Sequence, residues 1–191
     1  MNAEEILRRL KEGNERFTAD KLEGKLTDSI RRTELASGQS PNTVVLSCAD
    51  SRVVPEMAFD TGLGELFVVR VAGNVANTSS LGSIEYAIAH LGSKVIVVLG
   101  HENCGAVTAA VGGGDNGYNI NHLLSHITPA IQASPKDAGV NDVVRKNAAL
   151  TAADLITRSE IIRNAVEKKE LKIVPAFYNL DSGKVDFLSE V

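Results

Sequence analysis

Four short apolar runs punctuate the chain: Thr43–Cys48, Leu66–Val71, Lys94–Gly100 and Leu171–Tyr178. Each is rich in β-branched residues and too short for a buried helix. Such runs suit strands covered on both faces, as in a parallel sheet. Helical periodicity fills the intervals. Residues 3–17 carry Ile6, Leu7, Leu10 and Phe17 at helical spacing, and Ser29–Ser37 reads as a second helix stopped by Gly38 and Pro41. Ser79–Leu91 places Ile84, Ala87, Ile88 and Leu91 on one face, and Asn121–Gln132 and Asp142–Lys169 continue the pattern. Strands alternating with helices imply right-handed crossovers and a doubly wound α/β fold. Asp181–Lys184 reads as a turn, and Val185–Leu188 as a short final strand hairpinned against the fourth run. The expectation is a single domain over 1–191. It has a mostly parallel central sheet of four strands plus the short C-terminal strand, flanking helices and an N-terminal helical arm over 1–40.

Composition narrows the function. With 191 residues, 43% of them hydrophobic, the chain can build one real core. A net charge of −4 argues against a nucleic-acid partner, and the absence of Trp leaves no evident base-stacking platform. No apolar stretch reaches the roughly eighteen residues a membrane span needs. The opening MNAEEILRRLKEGNERF lacks the basic start, apolar centre and small-residue cleavage site of a signal peptide, so a cytoplasmic location is expected.

In open α/β sheets, ligands sit beyond the carboxyl ends of the strands. Cys48 closes the first run, and His101 follows the third, three residues before Cys104. Two thiolates and an imidazole are soft to borderline ligands suited to Zn²⁺. His-x-x-Cys is short enough for one loop to wrap an ion, with Cys48 supplying the third ligand from a neighbouring strand. Three protein ligands leave one tetrahedral position free, as in catalytic zinc. A structural site would want a fourth Cys or His nearby, and none stands there. The plainer reading, two inert buried cysteines and an unrelated histidine, loses because each sits at a strand end. Asp50 and Arg52 lie two apart in the loop after Cys48, where a guanidinium can hold a carboxylate bidentately. Such a pair can orient Asp50 toward zinc-bound water, hold it away from the metal, or be an ordinary loop ion pair.

Cys48-Ala-Asp50-Ser-Arg52 followed by His101-x-x-Cys104-Gly105 resembles the β-class carbonic anhydrases. The similarity extends to Phe67-Val-Val-Arg70, Ala72-Gly-Asn74, Ile84-Glu-Tyr86-Ala and the Leu10–Phe17 segment, and weakens after about Gly114. The resemblance implies reversible hydration of CO₂ to bicarbonate and a proton by zinc-bound hydroxide, with one Zn²⁺ per subunit held by Cys48, His101 and Cys104. It implies Asp50 and Arg52 as catalytic residues, and a homodimer or dimer-based tetramer with its sites at the subunit interface. It also implies a substrate cleft lined by Gln39, Phe67, Ala72, Tyr86 and Gly105. Bottom-up, Phe67 and Tyr86 alone would read as core and Gln39 as a surface loop residue. A regulated branch of the family carries a Trp three residues before the first metal Cys; here Val45 stands in that place. The open form is therefore expected, with Asp50 paired to Arg52 and water or an anion on the metal. Two thiolates donate more charge than imidazoles would, so an alkaline optimum is expected.

The metal motif does not separate CO₂ hydration from hydrolysis of carbonyl sulfide or carbon disulfide on the same scaffold. A non-catalytic zinc protein is a further rival, which Asp50 and Arg52 argue against. Other signals carry less. His122 and His126 have a metal-compatible spacing but no intervening Glu, and read as solvent-facing helix residues. Gly112–Gly117 lacks the Gly-Lys-Ser/Thr ending of a phosphate loop. Gly62-Leu-Gly64 precedes a strand rather than following one.

Overall fold

The computed structural model describes residues 1–189. Its elements in chain order are α1 (Ala3–Thr18), α2 (Ser29–Leu35), β1 (Thr43–Ser47), α3 (Pro55–Ala58), β2 (Leu66–Arg70), α4 (Thr78–Leu91), β3 (Val95–His101), α5 (Gly105–Gly112), α6 (Tyr118–Ser125), α7 (Thr128–Gln132), α8 (Val140–Arg158), α9 (Glu160–Glu167), β4 (Lys172–Tyr178) and β5 (Val185–Phe187). A 3₁₀ turn, Ala72–Asn74, follows β2. Among the described residues the strand order is β2-β1-β3-β4-β5. The first four strands are mutually parallel, and β5 pairs antiparallel with β4 across the expected hairpin.

Side chains alternate across the sheet, and both faces are covered. Val45, Val97, Leu99 and Val174 meet Ile6, Leu7 and Leu10 of α1 together with Phe59. On the other face Val44, Leu46, Ile96, Val98 and Ile173 meet Leu81, Ile84 and Ala87 of α4, Ala152 and Leu155 of α8, and Ile162 of α9. This double coverage explains why the runs are continuously apolar. β2 departs from it: as an edge strand it is only half-buried.

α1 packs its apolar face into the core. A Cβ on Gly13 would stand 1.9 Å from the Phe59 carbonyl oxygen, so only glycine permits this helix approach. Buried Asn14 donates to the Ala58 and Gly183 carbonyls and accepts from the Val185 N–H, which ties α1 to the β4–β5 hairpin. α2 is different: it carries no buried residue, and Ile30 is 69% exposed.

Two long helical stretches are each broken. Asn121–Gln132 divides into α6 and α7 because Pro129, in the first turn of α7, has no N–H to continue the ladder. Asp142–Lys169 divides at Ser159, whose extended backbone ends α8 and whose hydroxyl accepts from the Ile162 N–H to start α9. No helix among the described residues is long and apolar enough to cross a membrane.

Asp60 fastens the α1–α2 connection. Its side chain is 4% exposed, pairs with Arg16 at 2.5 Å, and accepts from the Glu23 and Gly24 N–H groups. Burial pushes its pKa up, but the Arg16 bond and the two N–H groups outweigh burial and hold it below the ordinary value. A depressed folded-state pKa stabilises the fold above the unfolded pKa of about 3.9, and the contribution fades as pH falls through the folded value. Asp60→Asn is expected to cost about 1–3 kcal/mol at neutral pH in urea unfolding. The gap from wild type should shrink below about pH 4; an equal gap at every pH would contradict this role.

Candidate metal centre

Cys48, His101 and Cys104 come together beyond the carboxyl ends of β1 and β3, with one ligand atom from each lying within 4.8 Å of the others. The two sulfurs are 4.0 Å apart. All three residues are buried, and the cysteines are free thiols. The surrounding Val75, Val107, Ile127 and Phe177 make the pocket apolar.

The local sequence explains how each ligand is aimed. Arg70, at the end of β2, donates to the carbonyls of Cys48, Asp50 and Val53 at 3.0, 2.6 and 3.0 Å. One guanidinium thereby fixes the path of the loop that follows β1. His101 ends β3, and its Nδ1 lies 2.9 Å from the Glu102 carbonyl oxygen. A carbonyl only accepts, so Nδ1 carries the proton and Nε2 presents its lone pair. Asn103 then turns with φ 50°, and its N–H donates to Asn141 Oδ1 at 2.9 Å. The turn delivers Cys104 to the N-cap of α5, where the free N–H groups of a helix start favour negative charge.

The electrostatics suit a cation. Cys48 is held well below the ordinary thiol value, chiefly by its hydrogen bond with Cys104 and further by the Gly73 and Asp50 N–H groups, against burial. Cys104 is pushed up by its Cys48 neighbour and by burial, while the Val107 and Ala106 N–H groups act in the opposite sense. One proton between two buried sulfurs is what a divalent ion would replace. Among the described residues His101 Nε2 is buried with no hydrogen-bond partner, as is the side chain of Asn74 in the adjoining turn. A buried imidazole nitrogen left unpaired costs on the order of 1–3 kcal/mol. A metal–nitrogen bond removes that cost, so these residues fit a soft or borderline divalent ion.

Asp50 borders the group: its Oδ2 is 3.7 Å from His101 Nε2. Arg52 grips the carboxylate through its side chain at 2.9 and 2.7 Å and through its backbone N–H at 2.9 Å. The Arg52 bonds, opposed by burial, hold Asp50 far below the ordinary carboxylate range. Gly105 opens α5 directly after Cys104, and Ala72 opens the 3₁₀ turn beside Cys48.

The other expected cleft residues lie elsewhere on the chain. Phe67 pairs in register with Val44, four residues before Cys48, which places it about 13 Å back along the sheet. Gln39 lines a shallow depression with Arg31, Leu35 and Gly64, at the amino end of the strands. Tyr86 is 51% exposed on α4, its ring 5.1 Å from that of His90. Sequence reasoning attached no role to Arg70, which stood out only as a charge closing an apolar run and as the end of the Phe67-Val-Val-Arg70 segment. It also passed over Asn141 and Asn147, which look like ordinary polar helix residues.

Fold and site together define an α/β protein with a Cys-His-Cys group at its strand ends that could hold a metal ion. The sequence model of the carbonic anhydrase family matches residues 43–185. The chain is 40% identical over 181 residues to carbonic anhydrase 2 of Mycobacterium tuberculosis, covering 92% of this chain and 87% of that protein. It is 39% identical over 189 residues to a carbonic anhydrase of Mycolicibacterium smegmatis, covering 95% and 91%. A solved Coccomyxa β-carbonic anhydrase in complex with acetazolamide superposes with a TM-score of 0.77 at 27% identity, covering 93% of this chain and 84% of that one. The chain belongs to the β-class carbonic anhydrases.

The ligand set makes a direct prediction. Purified protein should bind one divalent ion per chain after exhaustive dialysis, by elemental analysis. Cys48→Ala and His101→Ala should each lose that stoichiometry, and full occupancy in either would remove the residue from the centre.

Proposed function

We propose that Cys48, His101 and Cys104 hold one Zn²⁺ and that the chain catalyses the reversible hydration of CO₂ to bicarbonate and a proton. The observation that carries this reading is the buried, unpartnered His101 Nε2 facing two sulfurs that share an apolar pocket. When bound, Zn²⁺ supplies a Lewis acid that ionises water near neutral pH and so furnishes a nucleophile for CO₂.

The remaining work falls to the chain. Asp50 stays ionised through the neutral range and can only accept hydrogen bonds. We assign it to orienting the attacking water beside His101. Arg52 occupies both carboxylate oxygens, which keeps Asp50 from filling the open position itself. This is the open form of the site. Apolar walls exclude bulk water and suit CO₂, a small apolar solute. Ala72 and Gly105, both small, leave room beside Cys48 and Cys104.

We assign Gln39, Phe67 and Tyr86 to the cleft of a second copy. Their places on one chain, far from its own metal ligands and partly on open surface, support that assignment. Exposed Ile30 and Met57 and the half-buried edge strand β2 supply an apolar surface for the pairing.

Stopped-flow CO₂ hydration on the zinc-loaded protein tests the reading. Activity should be present, and Arg52→Ala should lower kcat/KM about 10–100-fold with zinc retained. Absence of hydration by fully loaded protein would overturn the proposal. Mixing separately inactive Cys48→Ala and Gln39→Ala chains should regain activity, because a hybrid pair holds one complete site. No gain in proven hybrids would return Gln39 to a role outside the cleft.

A further inference from the structure

The turn between β2 and α4 touches Cys48 on one side and α8 on the other. Gly73, at φ 70°, donates its N–H to Cys48 Sγ at 3.4 Å. Its carbonyl accepts from Asn147 Nδ2 at 2.8 Å. Asn147 sits within α8, is 2% exposed, and bridges 74 residues of sequence with that one bond. A side chain at position 73 would meet Ile127 Cδ1 at 2.9 Å and Ala106 Cβ at 3.3 Å, so the left-handed position admits only glycine. The Gly73 residue is thus bonded on both sides, its N–H to the sulfur and its carbonyl to Asn147.

We propose that Asn147 is a positioning residue for the metal ligand Cys48, acting through Gly73: it anchors the carbonyl of the residue whose N–H bonds the sulfur. The proposal rests on the reading of Cys48 as a metal ligand. An N–H···S bond stabilises charge on sulfur and reduces what the thiolate donates to a metal. Loss of the anchor leaves a buried carbonyl without its donor and frees the glycine to turn. The thiolate then becomes a stronger donor in a looser position.

Cobalt substitution reads this out without any turnover. The wild-type protein should take one Co²⁺ per chain and show a sulfur-to-cobalt charge-transfer band. Asn147→Leu, with the same branching and number of heavy atoms but without a donor, should move that band to longer wavelength. Zinc transfer to a chelator should quicken about tenfold or more. Asn147→Ser, too short to reach the Gly73 carbonyl yet gentler on folding, should shift both in the same direction. Leu155→Ala is the control: it lies on α8 in the apolar cluster on the sheet face and should lower the melting temperature without moving the band. Wild-type band and chelation rate in both Asn147 variants would overturn the positioning role, as would an equal shift in Leu155→Ala. A wild-type protein with no sulfur-to-cobalt band would overturn the metal-site reading itself, and this proposal with it.

Discussion

Two sulfurs 4.0 Å apart and an unpaired imidazole nitrogen, all in apolar surroundings, form an arrangement that could hold a metal ion. Much of the surrounding structure keeps it in place. Burying thiolates and an unpaired ring nitrogen is unfavourable unless charge or a metal compensates. The fold supplies part of the compensation from its backbone: Gly73 and Asp50 toward Cys48, Ala106 and Val107 toward Cys104. A metal ion held by the three side chains would supply the rest. The architecture follows, because parallel strands end together and their ends are where loops from different parts of the sequence meet. One candidate ligand, Cys48, follows β1 directly, and β3 with its following turn contributes the other two.

The supporting contacts do distinct jobs. Arg70 bonds three carbonyls of a single loop and so shapes the backbone from Cys48 to Val53. Arg52 works on a side chain, keeping Asp50 ionised and occupied. The Glu102 carbonyl chooses the imidazole tautomer. Asn147 works at one remove, on a peptide that itself touches sulfur. None of these groups would bind an ion alone. Together they settle where the three ligand atoms point before any ion arrives, which is what fast chemistry at an open coordination position requires.

Much of this was legible in the sequence. Cys48, His101 and Cys104 stood out because polar, metal-binding groups at the ends of apolar runs have few other uses. The four parallel strands and the terminal hairpin followed from run length and β-branching. What escaped is partly local capping and partly tertiary. Ser159 ends one helix and caps the next, and Pro129 opens a helix that periodicity alone had merged with its neighbour. The edge position of β2 depends on strand order, which no single run encodes. Arg70 and Asn147 matter only through the carbonyls they reach. The resemblance named Gln39, Phe67 and Tyr86, but where they stand relative to the ligands appears only once strand register is known.

The central claim is that this chain provides three ligands and leaves one position open. Zinc K-edge X-ray absorption on the purified, zinc-loaded protein tests it most directly. The account predicts two sulfur neighbours at about 2.3 Å and two lighter atoms near 2.0–2.1 Å, one of them the His101 nitrogen and the other exchangeable for an added anion. A shell whose lighter neighbours do not change with added anion, or one with fewer than two sulfurs, would contradict it.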